Sequence, residues 1–359
     1  MDLARAELAV PLVSLTIRGF RNLEETSLEL DPGQNYLFGE NGAGKTNLLE
    51  AVHVLSTGRS FRRCQDADLL QYGAEVLSVA GSTESGASAE FRFDGLEKRM
   101  FRNGARVERL ADYFGWLPVV VLLLEDIELV RGAPGVRRAF LDMAAAKTDP
   151  KYVTVLNDYR QALLQRSRLF ESPADPGLED VWDEELVRTA VPVYRSRLKT
   201  AEGLLKGALG HFRRFGIGDL TAAYRSTVPL DGDIAVAMRR RLAGTRERSR
   251  QLRMIFVGPH RDDVVIQRDG RELRRFGSVG EQRLAAIALR LAEADLVSSL
   301  AGRPTFLMDE IASELDEKKA RLVFDLVAER GQSLYAAARP FPVRGREFRI
   351  AQGKVEAIH

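Results

Sequence analysis

Cysteine is almost missing from this chain of 359 residues, which has one, Cys64. A lone cysteine excludes an internal disulfide framework and a Cys-rich zinc site, and it suits a reducing compartment. Histidine is scarce as well: His53, His211, His260 and His359 are the four, and no two have metal-ligand spacing. No run of about 18 uncharged apolar residues occurs, which argues against a membrane span. Met1 to Pro11 carries only Arg5 as a basic group, and its apolar stretch begins at charged Glu7, so the start and core of a secretion signal are both absent. A cytoplasmic protein without a membrane partner is expected. Internal repeats, low-complexity tracts and heptads long enough for an extended coiled coil are missing too.

What is present is an apolar share of 45%, that of a globular protein with room for one large domain or two ordinary ones. The net charge of +2 is unevenly spread. From Arg195 to Arg253 there are 14 Lys and Arg against 5 Asp and Glu, so this stretch is +9 and the remainder is −7. One basic region thus sits in an otherwise acidic protein. The acidic segment from Glu171 to Glu185, with Pro173, Pro176 and Gly177, reads as a solvated loop leading into a helix with no specific task.

Val13, Leu15 and Ile17 alternate with polar residues, as in a half-buried strand, and Leu28 and Leu30 repeat the pattern before the turn Asp31-Pro32-Gly33. Tyr36-Leu37-Phe38 is a short apolar strand, and Asn47 to Leu55 has helix-forming composition. Three short alternating runs follow (Leu77 to Val79, Ala89 to Phe93, Arg99 to Arg102), and Asn103-Gly104 is a hairpin signal. Val119 to Leu124 is unbroken apolar, suited to burial on both faces. From Glu125 to about Arg253 strand alternation nearly vanishes in favour of Ala, Leu, Arg and Glu. Strands return at Val264 to Ile266, with a turn at Asp269-Gly270, at Thr305 to Met308 and at Ser333 to Ala336. The expectation is a discontinuous head of residues 1–125 and 254–359 with an inserted helical domain at 126–253.

Gly39-Glu40-Asn41-Gly42-Ala43-Gly44-Lys45-Thr46 satisfies G-x-x-x-x-G-K-[ST] between a strand and a helix. Glycines there let backbone N–H groups close round phosphates, and the following helix points its positive end at them. Lys45 is expected to hold the β- and γ-phosphates of ATP and Thr46 a Mg²⁺. The strand Thr305 to Met308 ends in Asp309-Glu310, which offers one carboxylate to the Mg²⁺ shell and the next as a base for water. Ser278-Val279-Gly280-Glu281-Gln282-Arg283 opens an apolar helix and resembles the signature motif of ABC-type ATPases. There, Ser278, Gly280 and Gln282 would meet the γ-phosphate of a second subunit. An ordinary capped helix is the plainer reading of that segment taken alone.

With these motifs in place, four further stretches make the chain resemble the RecF family of bacterial recombination mediators. They are Ile17 to Asn22; Leu55-Ser56-Thr57-Gly58-Arg59-Ser60-Phe61-Arg62; Glu125 to Val130 with Gly132, Pro134, Arg137-Arg138 and Phe140-Leu141-Asp142; and Gly258-Pro259-His260-Arg261-Asp262-Asp263. Ser313 to Asp316 completes the pattern. Leu124 stands where the family usually has proline. Transporter ABC ATPases carry a histidine after the last core strand, and Tyr335 to Ala338 has none, so slow turnover is expected.

The resemblance implies an α/β fold: an ABC-type P-loop ATPase head with mixed and antiparallel sheets plus an inserted α-helical domain. It also implies a nucleoid-associated, ATP-dependent homodimer acting as a weak, DNA-stimulated ATPase. Such a dimer binds gapped or junction DNA without sequence preference and loads recombinase with RecO and RecR. The DNA candidates are Arg213, Arg214, Arg239, Arg240, Arg241, Arg246, Arg248, Arg250 and Arg253, each of which is also readable as a solvated arginine. Arg59, Arg62 and Arg63 either link DNA to hydrolysis or salt-bridge within the core. Gln65 is a candidate Mg²⁺-sensing residue, and His260 reads as structural. An ABC transporter subunit is opposed by the missing histidine and the basic insertion, and an SMC-type structural head by the shortness of that insertion.

Overall fold

Two compact units make up the chain, Met1–Asp126 with Arg290–His359, and Ile127–Leu289. The computed structural model describes residues 11–62, 64–171, 176–338 and 345–358. Arg63 and His359, both singled out in the sequence, lie outside the described residues, as do Met1 to Val10.

In the first unit, a six-stranded sheet runs Lys354–Ile358, Arg346–Ala351, Gln34–Phe38, Ser333–Ala337, Thr305–Asp309, Val119–Leu122. All its pairings are parallel except that of the first two strands. Val119–Leu122 is buried at every position, as its unbroken apolar run requires of a parallel strand. A second six-stranded sheet, all antiparallel, runs Thr26–Glu29, Leu12–Arg18, Leu77–Thr83, Ser88–Phe93, Lys98–Arg102, Ala105–Val107. Asn103 and Gly104 both have positive φ at its hairpin (49° and 80°), the geometry that Asn-Gly favours. The alternation at the start is displaced by one detail. The register shifts between Leu12 and Ser14, so Leu12, and not Val13, joins Leu15 and Ile17 in the core.

Helix Lys45–Thr57 packs on both of these sheets. It is therefore buried nearly all round, and even the polar Glu50, His53, Ser56 and Thr57 are out of water in it.

The second unit is mostly helical: Pro134–Thr148, Tyr152–Arg168, Pro176–Arg214 and Ile234–Leu252. The sequence reading missed the strand Leu220–Arg225, in which Leu220 is buried but the other inward positions, Ala222 and Tyr224, are small or only partly buried. It pairs antiparallel with Asp263–Arg268, which also pairs with Arg271–Glu272. This pairing carries the unit past Arg253, where the sequence placed the return to the head, and on to Leu289.

The acidic segment also departs from expectation. Past the undescribed residues 172–175 it is the first part of helix Pro176–Arg214, and its carboxylates are partners of the basic region. Arg250 forks onto Glu179 at 3.0 and 2.9 Å, Arg246 reaches Asp180 and Asp183 at 2.6 and 2.7 Å, and Arg239 bonds Glu184 at 2.7 Å. Arg166, itself buried, takes Asp183 from the other side at 2.7 Å. Buried carboxylates persist only when paired, and here the arginine-rich helix supplies the charges.

A buried polar network joins the family motifs of this unit. Asp142 accepts both guanidinium nitrogens of Arg197 (2.8 and 3.0 Å) and the Tyr152 hydroxyl (2.5 Å), while Arg197 also donates to the Pro259 carbonyl at 2.5 Å. Arg137 forks onto Asp263 at 2.6 and 3.0 Å, and Asp262 takes the Tyr224 hydroxyl at 2.5 Å. His260 Nε2 donates to the Ile255 carbonyl at 2.9 Å, which leaves Nδ1 to accept from the Tyr159 hydroxyl at 2.6 Å.

Burial pushes the His260 imidazole down to about 4 from an ordinary 6.5. Between those values the unfolded chain binds more protons than the folded one, so stability rises with pH across the window and is lost on acidification. The expected loss from this group is up to about 3 kcal/mol. Denaturant titrations at about pH 7 and about pH 4.5 should show it, and His260→Gln should shrink the difference.

Candidate functional site

The loop Gly39 to Gly44 follows strand Gln34–Phe38 at its carboxyl end, and Gly44 caps helix Lys45–Thr57 with φ of 117°. A Cβ on Gly39 would lie 2.1 Å from the Ile350 carbonyl oxygen, and one on Gly44 would lie 2.9 Å from Leu23, so the loop's path beside strand Arg346–Ala351 admits only glycine at both. Ala43 is buried, whereas Glu40, Asn41 and Gly42 are exposed. The Lys45 ammonium, buried, donates back to the Gly39 and Glu40 carbonyls at 2.7 and 3.0 Å.

Strand Thr305–Asp309 ends beside this loop because Ser333–Ala337 lies between it and Gln34–Phe38, in register with both. The Thr46 hydroxyl consequently donates to Asp309 Oδ2 at 2.7 Å across 263 positions of sequence. Glu310 Oε1 stands 3.8 Å from the Lys45 ammonium. Glu310 has a left-handed backbone (φ 50°), held by its amide on the Ala336 carbonyl at 2.9 Å and by the Ser313 hydroxyl on its own carbonyl at 2.7 Å. Burial pushes the Asp309 carboxyl above the usual range, opposed by the Thr46 bond and reinforced by the charge of Glu310. Asp309 Oδ1 and Glu310 Oε1 are both buried with no hydrogen-bond partner among the described residues. An orphaned carboxylate pair beside a lysine and a threonine hydroxyl is a donor set suited to a hard divalent cation with phosphate oxygens.

Asn22, Asn47 and Glu50, which have no assigned role in the sequence reading, support the loop together with Arg62. Asn22 donates to the Gly42 carbonyl at 3.2 Å and accepts from Asn47 at 2.7 Å, and Arg62 donates to Asn47 at 2.7 Å. Glu50, wholly buried, takes a fork from Arg21 (3.0 and 2.9 Å), the Ser60 hydroxyl (2.5 Å) and Arg62 (3.2 Å). Arg62, itself 37% exposed, is thus paired with a carboxylate of the core. A carboxylate at Glu50 between Leu48, Leu49, Ala51 and Val52 was the signal available in the sequence.

Gln65 is exposed, where its amide bonds Asp68 at 2.8 Å ahead of the short turn Asp66–Leu69. Arg59 is exposed, Arg213 is 75% exposed beside Asp219, and Arg214, Arg240 and Arg241 are exposed.

In the second unit, Ser278 and Glu281 cap helix Val279–Ala301 reciprocally, amide to carboxylate at 2.8 Å and amide to hydroxyl at 3.3 Å. Ser278, Val279 and Gly280 are exposed, and a Cβ on Gly280 would meet nothing within 4 Å. Gln282 differs from its expected role. It is 3% exposed, its amide nitrogen donates to the carbonyls of Leu273, Arg274 and Gly277, and its oxygen accepts from Arg131. Its side chain braces the turn that presents Ser278 and is spent on that task.

Comparison with known proteins adds to this geometry. Residues 11–114 match the family model described as RecF/RecN/SMC N terminal domain. A protein of Symbiobacterium thermophilum named DNA replication and repair protein RecF is 36% identical over 96% of this chain and 97% of its own. The chain belongs to the RecF family. A solved structure of that family, the recombination mediator protein RecF with ATP in the RecFOR pathway, superposes with a TM-score of 0.92 at 26% identity, covering 100% of both chains. The Smc head domain of Pyrococcus furiosus shares the fold alone, with a TM-score of 0.57 at 17% identity over 97% of this chain and 96% of that one. The RecF family's fold class, an ABC-type ATPase head with an insertion, is therefore that of this chain. No helix among the described residues is long and apolar enough to cross a membrane.

Proposed function

We propose that this chain is an ATP-gated DNA clamp of recombinational repair. The observation that carries it is the meeting of Thr46 with Asp309 at 2.7 Å, beside Lys45 and Glu310, at the mouth of a glycine loop. The solved RecF structure containing ATP supports the choice of nucleotide.

In this reading the amides of Gly39 to Thr46 and the Lys45 ammonium bind the β- and γ-phosphates, and Lys45 gives up its two carbonyl partners to do so. The Thr46 hydroxyl and Asp309 hold Mg²⁺, which when bound supplies charge neutralisation at the phosphate oxygens. Glu310 orients the attacking water and accepts its proton; as the water oxygen bonds to the γ-phosphorus, the bond from that phosphorus to the β–γ bridging oxygen breaks and ADP leaves with this oxygen on its β-phosphate. Exposed Ser278 and Gly280 serve the γ-phosphate held by a second copy of the chain, so two copies close over two nucleotides and hydrolysis reopens them. Turnover is slow and stimulated by DNA. Gapped or junction DNA is the substrate of the clamp, and RecO and RecR are its partners in loading recombinase, in keeping with the pathway in which the solved relative acts.

Sedimentation of the chain with no nucleotide, ADP or ATP, with and without a gapped duplex, tests this. A dimer that forms with ATP alone, holds DNA and is lost in Ser278→Arg is expected. A monomer under every condition would remove the composite site. Lys45→Met is expected to abolish nucleotide binding, measured by calorimetry, and retained binding would contradict the phosphate-holding role.

A further inference from the structure

Helix Ile234–Leu252 is the centre of the basic region, and every basic side chain on it is arginine: 239, 240, 241, 246, 248 and 250. At 3.6 residues per turn these fall on two different faces. Arg239, Arg246 and Arg250 share one, and this is the face neutralised by Glu179, Asp180, Asp183 and Glu184. Met238, Leu242 and Ser249 form the buried face. The remaining face carries Arg240, Arg241 and Arg248, with Ala237, Gly244 and Gln251 between them and, at its edge, Glu247, whose carboxylate accepts from Gln251 at 3.0 Å.

That third face differs from the paired one in every respect that bears on binding. Arg240, Arg241 and Arg248 are exposed and have no ion pair among the described residues. Arg248 is held over the Phe256 ring, 4.6 Å from its centre, so its guanidinium is placed without being neutralised. Gly244 stands at the middle of the face with open space where a Cβ would be. Glycine in a helix interior lowers stability relative to alanine, and here it removes bulk from a strip flanked by guanidinium groups. The same helix thus spends half of its arginines on its own fold and leaves the other half facing outward.

We propose that Arg240, Arg241 and Arg248 form the strip that grips the DNA backbone, with Gly244 as the point where a phosphate approaches the helix most closely. The proposal rests on the DNA-clamp reading above and assigns that reading a surface. Guanidinium forks suit phosphate oxygens better than ammonium groups do, and a strip with no base-reading side chains recognises backbone and not sequence. The arginines bonded to the acidic helix face are already neutralised by its carboxylates, and freeing Arg246 and Arg250 would leave buried Glu179 and Asp183 with Arg166 alone.

The test uses the full chain with ATP and a fluorescent gapped duplex, with affinity measured across a salt series. Arg240→Gln/Arg241→Gln/Arg248→Gln is expected to weaken binding at least ~10-fold for any sequence, and to lower the log–log salt slope by about 0.9 for each phosphate left without its arginine. Gly244→Glu places a negative charge in open space without a clash; it should weaken binding while leaving thermal stability equal or higher. Arg239→Gln/Arg246→Gln/Arg250→Gln should do the reverse, lowering thermal stability with the salt slope kept. If the first two variants bind DNA as the wild type does, with an unchanged slope, the assignment is overturned. If the wild type itself binds no DNA in any nucleotide state, the clamp reading falls with it.

Discussion

Glu310→Gln is expected to slow ATP turnover by about 10²–10⁴-fold while nucleotide binding persists. The substitution keeps the size of the side chain and its backbone setting, since the left-handed residue is fixed by main-chain bonds to Ala336 and by Ser313 and not by its carboxylate. What it removes is the carboxylate oxygen that lies buried without a hydrogen bond, 3.8 Å from the Lys45 ammonium. Asp309 and Thr46 remain to hold the cation, so the variant should accumulate in the ATP-closed dimer, visible in sedimentation as a dimer that outlasts that of the wild type. Comparable steady-state rates for the two proteins would show that Glu310 is not the base.

Breaking the buried pair in the second unit is expected to have the largest effect on stability. Arg197→Met leaves the Asp142 carboxylate buried with only the Tyr152 hydroxyl on one oxygen and Arg160 at 3.7 Å from the other, and it leaves the Pro259 carbonyl with only the Asp262 amide at 3.4 Å. Removing one partner of such a pair costs about 3–5 kcal/mol. Adding Asp142→Leu to that variant should restore part of the loss, because no uncompensated charge then remains inside. Equilibrium denaturation of the two variants separates these outcomes; a double variant less stable than Arg197→Met would mean that the network matters by shape and not by charge pairing.

The phosphate loop, the strand ending in Asp309-Glu310 and the helix after Ser278 were legible because each is local: the residues that matter are neighbours in sequence. The Asn103-Gly104 hairpin and the buried strand at Val119 were legible for the same reason. What escaped depended on partners far along the chain. Strand Leu220–Arg225 has weak alternation and exists through its pairing with Asp263–Arg268. The acidic segment looked idle until its carboxylates met arginines some sixty positions away on another helix. Gln282 sat at the right spacing for a role at the nucleotide, and only the carbonyls gathered round it show that it serves the turn.

Helix Lys45–Thr57, held between two sheets with nearly all of its residues out of water, has a consequence for motion. Its amide protons can exchange with deuterium only when both sheets separate from it, which approaches opening the whole unit. Exchange from Leu48 to Thr57 should therefore be about as slow without nucleotide as with it. The protection that ATP adds should appear instead from Asn41 to Thr46, whose amides close round the phosphates.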